Sequence, residues 1–191
     1  MTDARQLRDL EGQQYIVLRP AGAVMREFDR VQDGLREHFG DSVRYPGAAH
    51  VTLRGLYEPE RIDAVRTVVR EWAARQHPID IVFEAVDAFP APWQIVLARL
   101  TRTPSLVHAY ASLTEALDST DLRRIGELSL DEWVFHLSTV YAKDMDADGW
   151  ARLASDTRHE YATPPTETVA EVEFVTYFDA TEHREIFPFG T

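Results

Sequence analysis

Apolar residues recur at every third or fourth position from Val24 to Phe39 (Val24, Phe28, Val31, Leu35, Phe39), the spacing of one helix face, and the run stops at Gly40. On either side the period shortens. Gln14 to Arg19 and Ala49 to Tyr57 read as β-strands, and Pro59 opens a second helical stretch through Ile62, Val65, Val68, Val69 and Trp72 that ends before Pro78. Ile79 to Phe89 reads as a strand, broken by Pro90 to Pro92. The order then recurs: strand Trp93 to Thr101, helix Ser105 to Leu117, polar connection Asp118 to Ser129, strand Trp133 to Tyr141, helix Gly149 to Glu160. Thr166 to Asp179 forms a long alternating strand, and His183 to Phe189 returns antiparallel to it. The pattern predicts an α+β fold of duplicated strand-helix-strand-helix-strand halves, about 13–90 and 92–189, in a single bilobal domain over 1–191. A repeat of this kind predicts pseudo-twofold symmetry.

The middle strand of each half carries the same short string, His50-Val51-Thr52 and His136-Leu137-Ser138. In a strand, residues i and i+2 share a face. His50 therefore points with Thr52 and His136 with Ser138, while Val51, Leu53, Phe135 and Leu137 point into a core. Two such strands facing each other would offer a phosphate two titratable imidazoles and two hydroxyl donors, enough for acid and base catalysis without a metal. The plainer alternative is two polar residues on the solvated face of an antiparallel sheet. Both strings fall in predicted strands, in the same slot of the repeat, and this favours the functional reading.

Composition narrows the class. With 191 residues, 45% hydrophobic and 27% charged, the chain is long enough to bury a sizeable core. No stretch approaches the roughly 18 apolar residues of a membrane span, and Met1 to Gln14 lacks the apolar segment of a secretory signal, so a cytoplasmic protein without membrane association is expected. The absence of cysteine excludes thiolate nucleophiles, disulfides and cysteine-ligated metals. A net charge of −12 argues against an extended nucleic-acid footprint, whose affinity comes from cationic contacts. A nucleotide or an RNA terminus needs only a few local arginines. No G-x-G-x-x-G or G-x-x-x-x-G-K-[S/T] cradle occurs, and His38, His77, His108, His159 and His183 show no metal-ligand spacing. Neither cofactor nor metal is expected. Asp144, Asp146 and Asp148 read as a helix start rather than a calcium loop.

The paired H-x-[S/T] strings, their separation and the duplicated α+β order resemble the 2H phosphoesterase superfamily, in particular its bacterial 2′-5′ RNA ligase or RNA 2′,3′-cyclic phosphodiesterase group. The resemblance implies two antiparallel sheets around a central cleft, with the histidines facing each other across it. It also implies metal-independent hydrolysis or transfer at 2′,3′-cyclic or 2′-5′ phosphodiesters. Carried over by position, His50 and His136 are the catalytic pair, with His50 donating a proton to the leaving oxygen and His136 serving as base. Thr52 and Ser138 hold phosphate oxygens; Ser138 replaces the usual threonine but keeps the hydroxyl. A different class, a non-catalytic module binding a nucleotide or RNA end in the same cleft, is the main alternative. A metal-dependent hydrolase is the third.

Several further residues are candidates for substrate contact. Arg54 shares simple strand parity with His50 and Thr52, and so would reach the cleft. Tyr45 and Tyr141 could stack on a base, although Tyr141 has the parity of core-type Leu137. Arg19 and Arg44 are candidate phosphate contacts. Oligomeric state has no signature in the sequence.

Overall fold

The computed structural model describes residues 4–190 and forms α1 (Ala4–Asp9), β1 (Gln13–Leu18), α2 (Ala23–Phe39), β2 (Val51–Tyr57), α3 (Ile62–Ala73), β3 (Ile79–Phe89), β4 (Ile95–Leu100) and α4 (Pro104–Asp118). It continues through β5 (Arg124–Ile125), β6 (His136–Tyr141), α5 (Ala147–Thr157), β7 (His159–Glu160), β8 (Thr166–Val169), β9 (Glu171–Phe178) and β10 (Thr181–Pro188). Local chemistry sets the helix ends. Gly40, at φ 50°, closes α2. The Thr103 hydroxyl accepts from the Leu106 N–H ahead of Pro104 at the start of α4, and the Asp146 carboxylate accepts from the Gly149 N–H at 2.7 Å to cap α5. The start of α2 is capped from a distance: the Glu167 carboxylate of β8 accepts from the N–H groups of Ala21, Gly22 and Val24 at 2.7–2.9 Å.

Two antiparallel sheets result, one ordered β10-β9-β1-β2-β5 and the other β6-β4-β3-β7, with β8 also on β3. The duplicated order is present, but the halves exchange strands. β1 lies between β2 and β9, and β4 lies between β6 and β3, so each sheet takes its third strand from the other half of the sequence. The pseudo-twofold relation therefore maps β9-β1-β2 onto β3-β4-β6.

The stretch expected as one strand from Thr166 to Asp179 is instead two. β8 pairs with β3 and β9 with β1, so the chain passes from one sheet to the other at Ala170. Nothing local marks such a crossing in the sequence, although the two strands differ in burial: β8 is buried only at Val169, and β9 is buried on both faces from Val172 to Tyr177. The two C-terminal residues of the expected helix ending at Glu160 form β7 instead, and β5 lies within the polar connection.

One continuous core joins the helices to the faces of both sheets turned away from the cleft, with Trp72, Tyr110, Phe83, Phe135 and Phe174 fully buried. Val17, Val175 and Tyr177 are buried in a separate small cluster on the opposite face of the first sheet. Full burial of a large apolar side chain contributes about 1.5–3 kcal/mol relative to exposure, so the larger cluster dominates stability and leaves the smaller one available to shape a site.

Candidate active site

His50 stands immediately before β2, and His136 is the first residue of β6. Each ring nitrogen Nδ1 lies within bonding distance of the carbonyl two residues upstream, Ala48 at 3.2 Å and Val134 at 2.8 Å. A carbonyl can only accept, so the bond selects Nδ1–H and leaves Nε2 of the neutral ring with its lone pair free. The two motifs thus share tautomer and orientation as well as sequence.

A β-bulge follows each motif. Val17 pairs with Thr52 but Ile16 with Arg54, so Leu53 is the extra residue in β2. Leu97 pairs with Ser138 but Val96 with Val140, so Thr139 is the extra residue in β6. A bulge re-aims every side chain beyond it. The histidine and hydroxyl before it keep one face, and the residues after it change sides.

This reverses two expectations drawn from simple alternation. Arg54 does not reach the cleft. It is 2% exposed on the helix-facing side, its guanidinium 3.5 Å from the centre of the Tyr110 ring, and it donates to the Leu53 carbonyl and the Thr114 hydroxyl. Glu127 lies 3.8 Å from it. Arg54 borders a second depression that shares no lining residue with the one at His50. Tyr141, which alternation places in the core, is carried by the Thr139 bulge to the cleft side, where it lines the His50 cavity.

That cavity, of about 70 Å³, has Val17 and Val175 in its lining, the Tyr45–Ala48 segment as one wall, and Tyr15, Tyr141 and Tyr177 around it. Arg19, Glu182 and Arg184 supply its charges. Tyr45 is placed by its hydroxyl, which donates to the Leu35 carbonyl at 3.1 Å, and by Arg36 over its ring at 4.7 Å. Arg44 contributes its backbone: its N–H and carbonyl bond Tyr141 at 2.9 and 2.8 Å and tie the segment before His50 to β6, while its side chain is exposed. The cavity lies on the His50 side and does not include His136.

Burial, the Arg19 guanidinium and a charge on His136 push His50 down to about 4, against the opposing pull of the Ala48 carbonyl and Glu182. His136 is also lowered, by burial, against its bond to the Val134 carbonyl, and the Phe89 ring meets it edge-on at 5.0 Å. Both rings are therefore neutral near pH 7 in the free protein.

His50, Thr52, Arg19, Tyr45 and Tyr141 share the cleft side of the first sheet or its cavity, and His136 and Ser138 present the facing side of the second. Sequence reasoning missed Tyr15, Tyr177, Glu182, Arg184, Phe89 and Arg99. Tyr15 and Arg19 alternate with Val17, and Tyr177 alternates with Glu173 and Val175, a signal that was available once one member of each strand had been placed. Among the described residues no three His, Cys, Asp or Glu side chains are grouped as a metal cage requires, and no helix is long and apolar enough to cross a membrane.

Two antiparallel sheets related by a pseudo-twofold axis, each bearing a histidine and a hydroxyl on the face it turns to the other, define the 2H phosphoesterase class. The family profile of the 2′-5′ RNA ligase superfamily matches residues 20–180, and the chain belongs to that superfamily. No curated protein matches it. Among solved structures it resembles TT0787 of Thermus thermophilus (13% identity, 93% of this chain and 97% of that one, TM-score 0.68). It also resembles E. coli LigT complexed with 3′-AMP (13% identity, 95% and 100% covered, TM-score 0.58) and Kluyveromyces marxianus Usb1 (12% identity, 95% and 100% covered, TM-score 0.58). At these identities the likeness is one of fold. Family membership supports chemistry of the phosphodiesterase or ligase type.

Proposed function

We propose that the protein is a metal-independent phosphodiesterase acting on 2′,3′-cyclic or 2′-5′ phosphodiesters of nucleotides or RNA ends. One observation supports this reading: two imidazoles, each with Nδ1 tied to the carbonyl two residues back and each followed by a hydroxyl on its own face and then by a bulge, stand at matching positions of the two sheets.

In this reading water adds to phosphorus as the bond from phosphorus to one ribose oxygen breaks. His136 accepts the proton that water loses, and His50 supplies the proton that the departing oxygen gains, so the site ends with its two protons exchanged and its charge unchanged. The Thr52 and Ser138 hydroxyls donate to the non-bridging oxygens, where negative charge grows. The tyrosine-lined cavity beside His50 suits a flat nucleoside attached to the oxygen that His50 protonates. LigT has been solved with 3′-AMP, which agrees with a nucleotide ligand.

The test is a panel of 2′,3′-cyclic nucleotides, 2′-5′ dinucleotides and RNA with cyclic ends, assayed in EDTA with wild type, His50→Ala and His136→Ala. Each variant should lose about 100-fold to 10,000-fold in turnover, the usual worth of one proton-transfer group, and bind a nucleotide product nearly as well as wild type. A binding module would turn over none of the panel, and a metal-dependent hydrolase would fall silent in EDTA. Either result refutes the proposal.

A further inference from the structure

We propose that Arg19, clamped by Glu173, is a positioning residue that sets the orientation and charge state of His50. The inference rests on His50 being a reacting group.

The geometry begins with register. β1 and β2 pair Val17 with Thr52 and Leu18 with Val51, so Arg19, one step beyond β1, stands across from His50. Its guanidinium uses all three nitrogens. Nε and Nη2 donate to the two Glu173 carboxylate oxygens at 2.9 and 2.8 Å, and Nη1 donates to the Ala49 carbonyl at 2.8 Å. Ala49 is the residue between His50 and the carbonyl of Ala48 that holds its Nδ1. One arginine therefore fixes the peptide from which the imidazole hangs and places a positive charge beside the ring. Glu173 sits directly across from Val17 on β9, and its side chain is only 10% exposed, so the pair is partly desolvated and held in a bidentate fork.

The other half of the molecule repeats the placement of the pair, although there the arginine also faces Glu84 and Glu160, at 3.4 and 3.6 Å. Arg99 pairs across β4 with His136, and Asp87 on β3, directly across from Leu97, takes the place of Glu173. The Arg99 guanidinium lies 3.3 Å from Asp87. Here the tether is a separate residue: Arg102 donates to the carbonyls of Trp133 and Leu130 at 2.8 and 2.9 Å, bracing the chain that leads into His136. An ion pair needed only for sheet stability has no reason to recur opposite both histidines, because strand pairing is already satisfied by backbone bonds. A buried ion pair is in any case weak evidence of net stabilisation.

The charges facing His50 are Arg19 from β1, Glu182 and Arg184 from β10 and His136 from β6. Of these, Arg19 is the one locked next to the histidine by its own hydrogen bonds. It is also the largest charge effect holding the ring neutral, second only to burial.

Two variants test this. Arg19→Gln with Glu173→Gln removes both charges and keeps hydrogen-bonding groups in place; Arg19→Lys keeps the charge and loses the fork. The readouts are the His50 imidazole titration by NMR, which needs no turnover, and kcat/KM on a 2′,3′-cyclic nucleotide. In the double variant the His50 midpoint should rise by about one pH unit, the size of a single-charge effect across a partly buried gap, and kcat/KM should fall by about tenfold. In Arg19→Lys the midpoint should stay within a few tenths of a unit of wild type while kcat falls. A brace for stability alone would lower Tm in both variants and leave the His50 titration where it was. A folded double variant with an unmoved midpoint and kcat/KM within twofold of wild type overturns the proposal. Should wild type fail to turn over any phosphodiester, the titration still decides the electrostatic half, so the two readings fail separately.

Discussion

The cleft itself is built to keep its imidazoles unprotonated, and the proposed mechanism needs one of them charged. At a pKa of about 4, only about one His50 in a thousand carries a proton at pH 7. The incoming phosphodiester must therefore supply the missing charge. One negative charge about 5 Å from the ring at an effective dielectric of about 20 is worth about 3 kcal/mol, or about 2 pH units, and screening in an open cleft leaves about 1 to 2. His50 should then titrate near 5 to 6 in the complex, where a useful fraction is a proton donor. The perturbation is substrate binding, and the assay is a pair of pH profiles. kcat/KM, which reports the free enzyme, should fall with rising pH from an acidic optimum, and the profile of kcat, which reports the complex, should lie about 1 to 2 pH units higher. The same shift has a sign for stability. The folded value lies below the unfolded one of about 6.5, so the unfolded chain binds the proton more tightly; stability is complete above pH 6.5 and declines as pH falls towards 4. Free-protein His50 and His136 midpoints at or above 6.5, or superimposed kcat and kcat/KM profiles, would refute the reasoning.

Three further predictions concern residues away from the reacting groups. Arg54→Met should cost about 2–3 kcal/mol in urea unfolding, because the stacking on Tyr110 and the buried hydrogen bonds are lost, yet leave kcat/KM of the folded protein within twofold; a tenfold loss of kcat/KM at full stability would return Arg54 to the cleft. The Thr139 hydroxyl is fully buried and has no partner among the described residues, so Thr139→Val should be neutral or stabilise by up to about 1 kcal/mol, and a clear loss in thermal unfolding would show that the hydroxyl is engaged. A Cβ on Gly190 would collide with the Ala74 carbonyl oxygen, so Gly190→Ala should lower Tm by several degrees, about 2–4 °C for each kcal/mol in a chain of this size; an unchanged Tm would mean that the C-terminal strand end yields freely.

Most of the architecture was legible because it is periodic. Ile79–Phe89 matches its expected bounds, α2 and β1 fall within one residue of theirs, and the repeat emerges from element order alone. What escaped was non-local. Ala170, where the chain changes sheets, is one alanine in an unbroken alternation, and the partner strands that divide β8 from β9 lie far away in sequence. The site shows the same division more sharply. His-x-Thr and His-x-Ser were readable because residues two apart share a face whatever the strand does next. Arg54 and Tyr141 were misplaced because a bulge is a property of pairing: nothing in Leu53 or Thr139 marks it as the unpaired residue, and only the register against β1 and β4 reveals it. The bulges answer a physical conflict. A strand that turns a histidine and a hydroxyl to the cleft must also feed the core beyond them. Simple alternation would send Arg54 into the cleft beside His50 and turn Tyr141 away from it. One extra residue directly after each hydroxyl resolves both: the second guanidinium goes under Tyr110, and the aromatic ring comes to the rim of the cavity. Both halves place it at the same step, which ties the bulge to the motif it follows rather than to any local weakness of either strand.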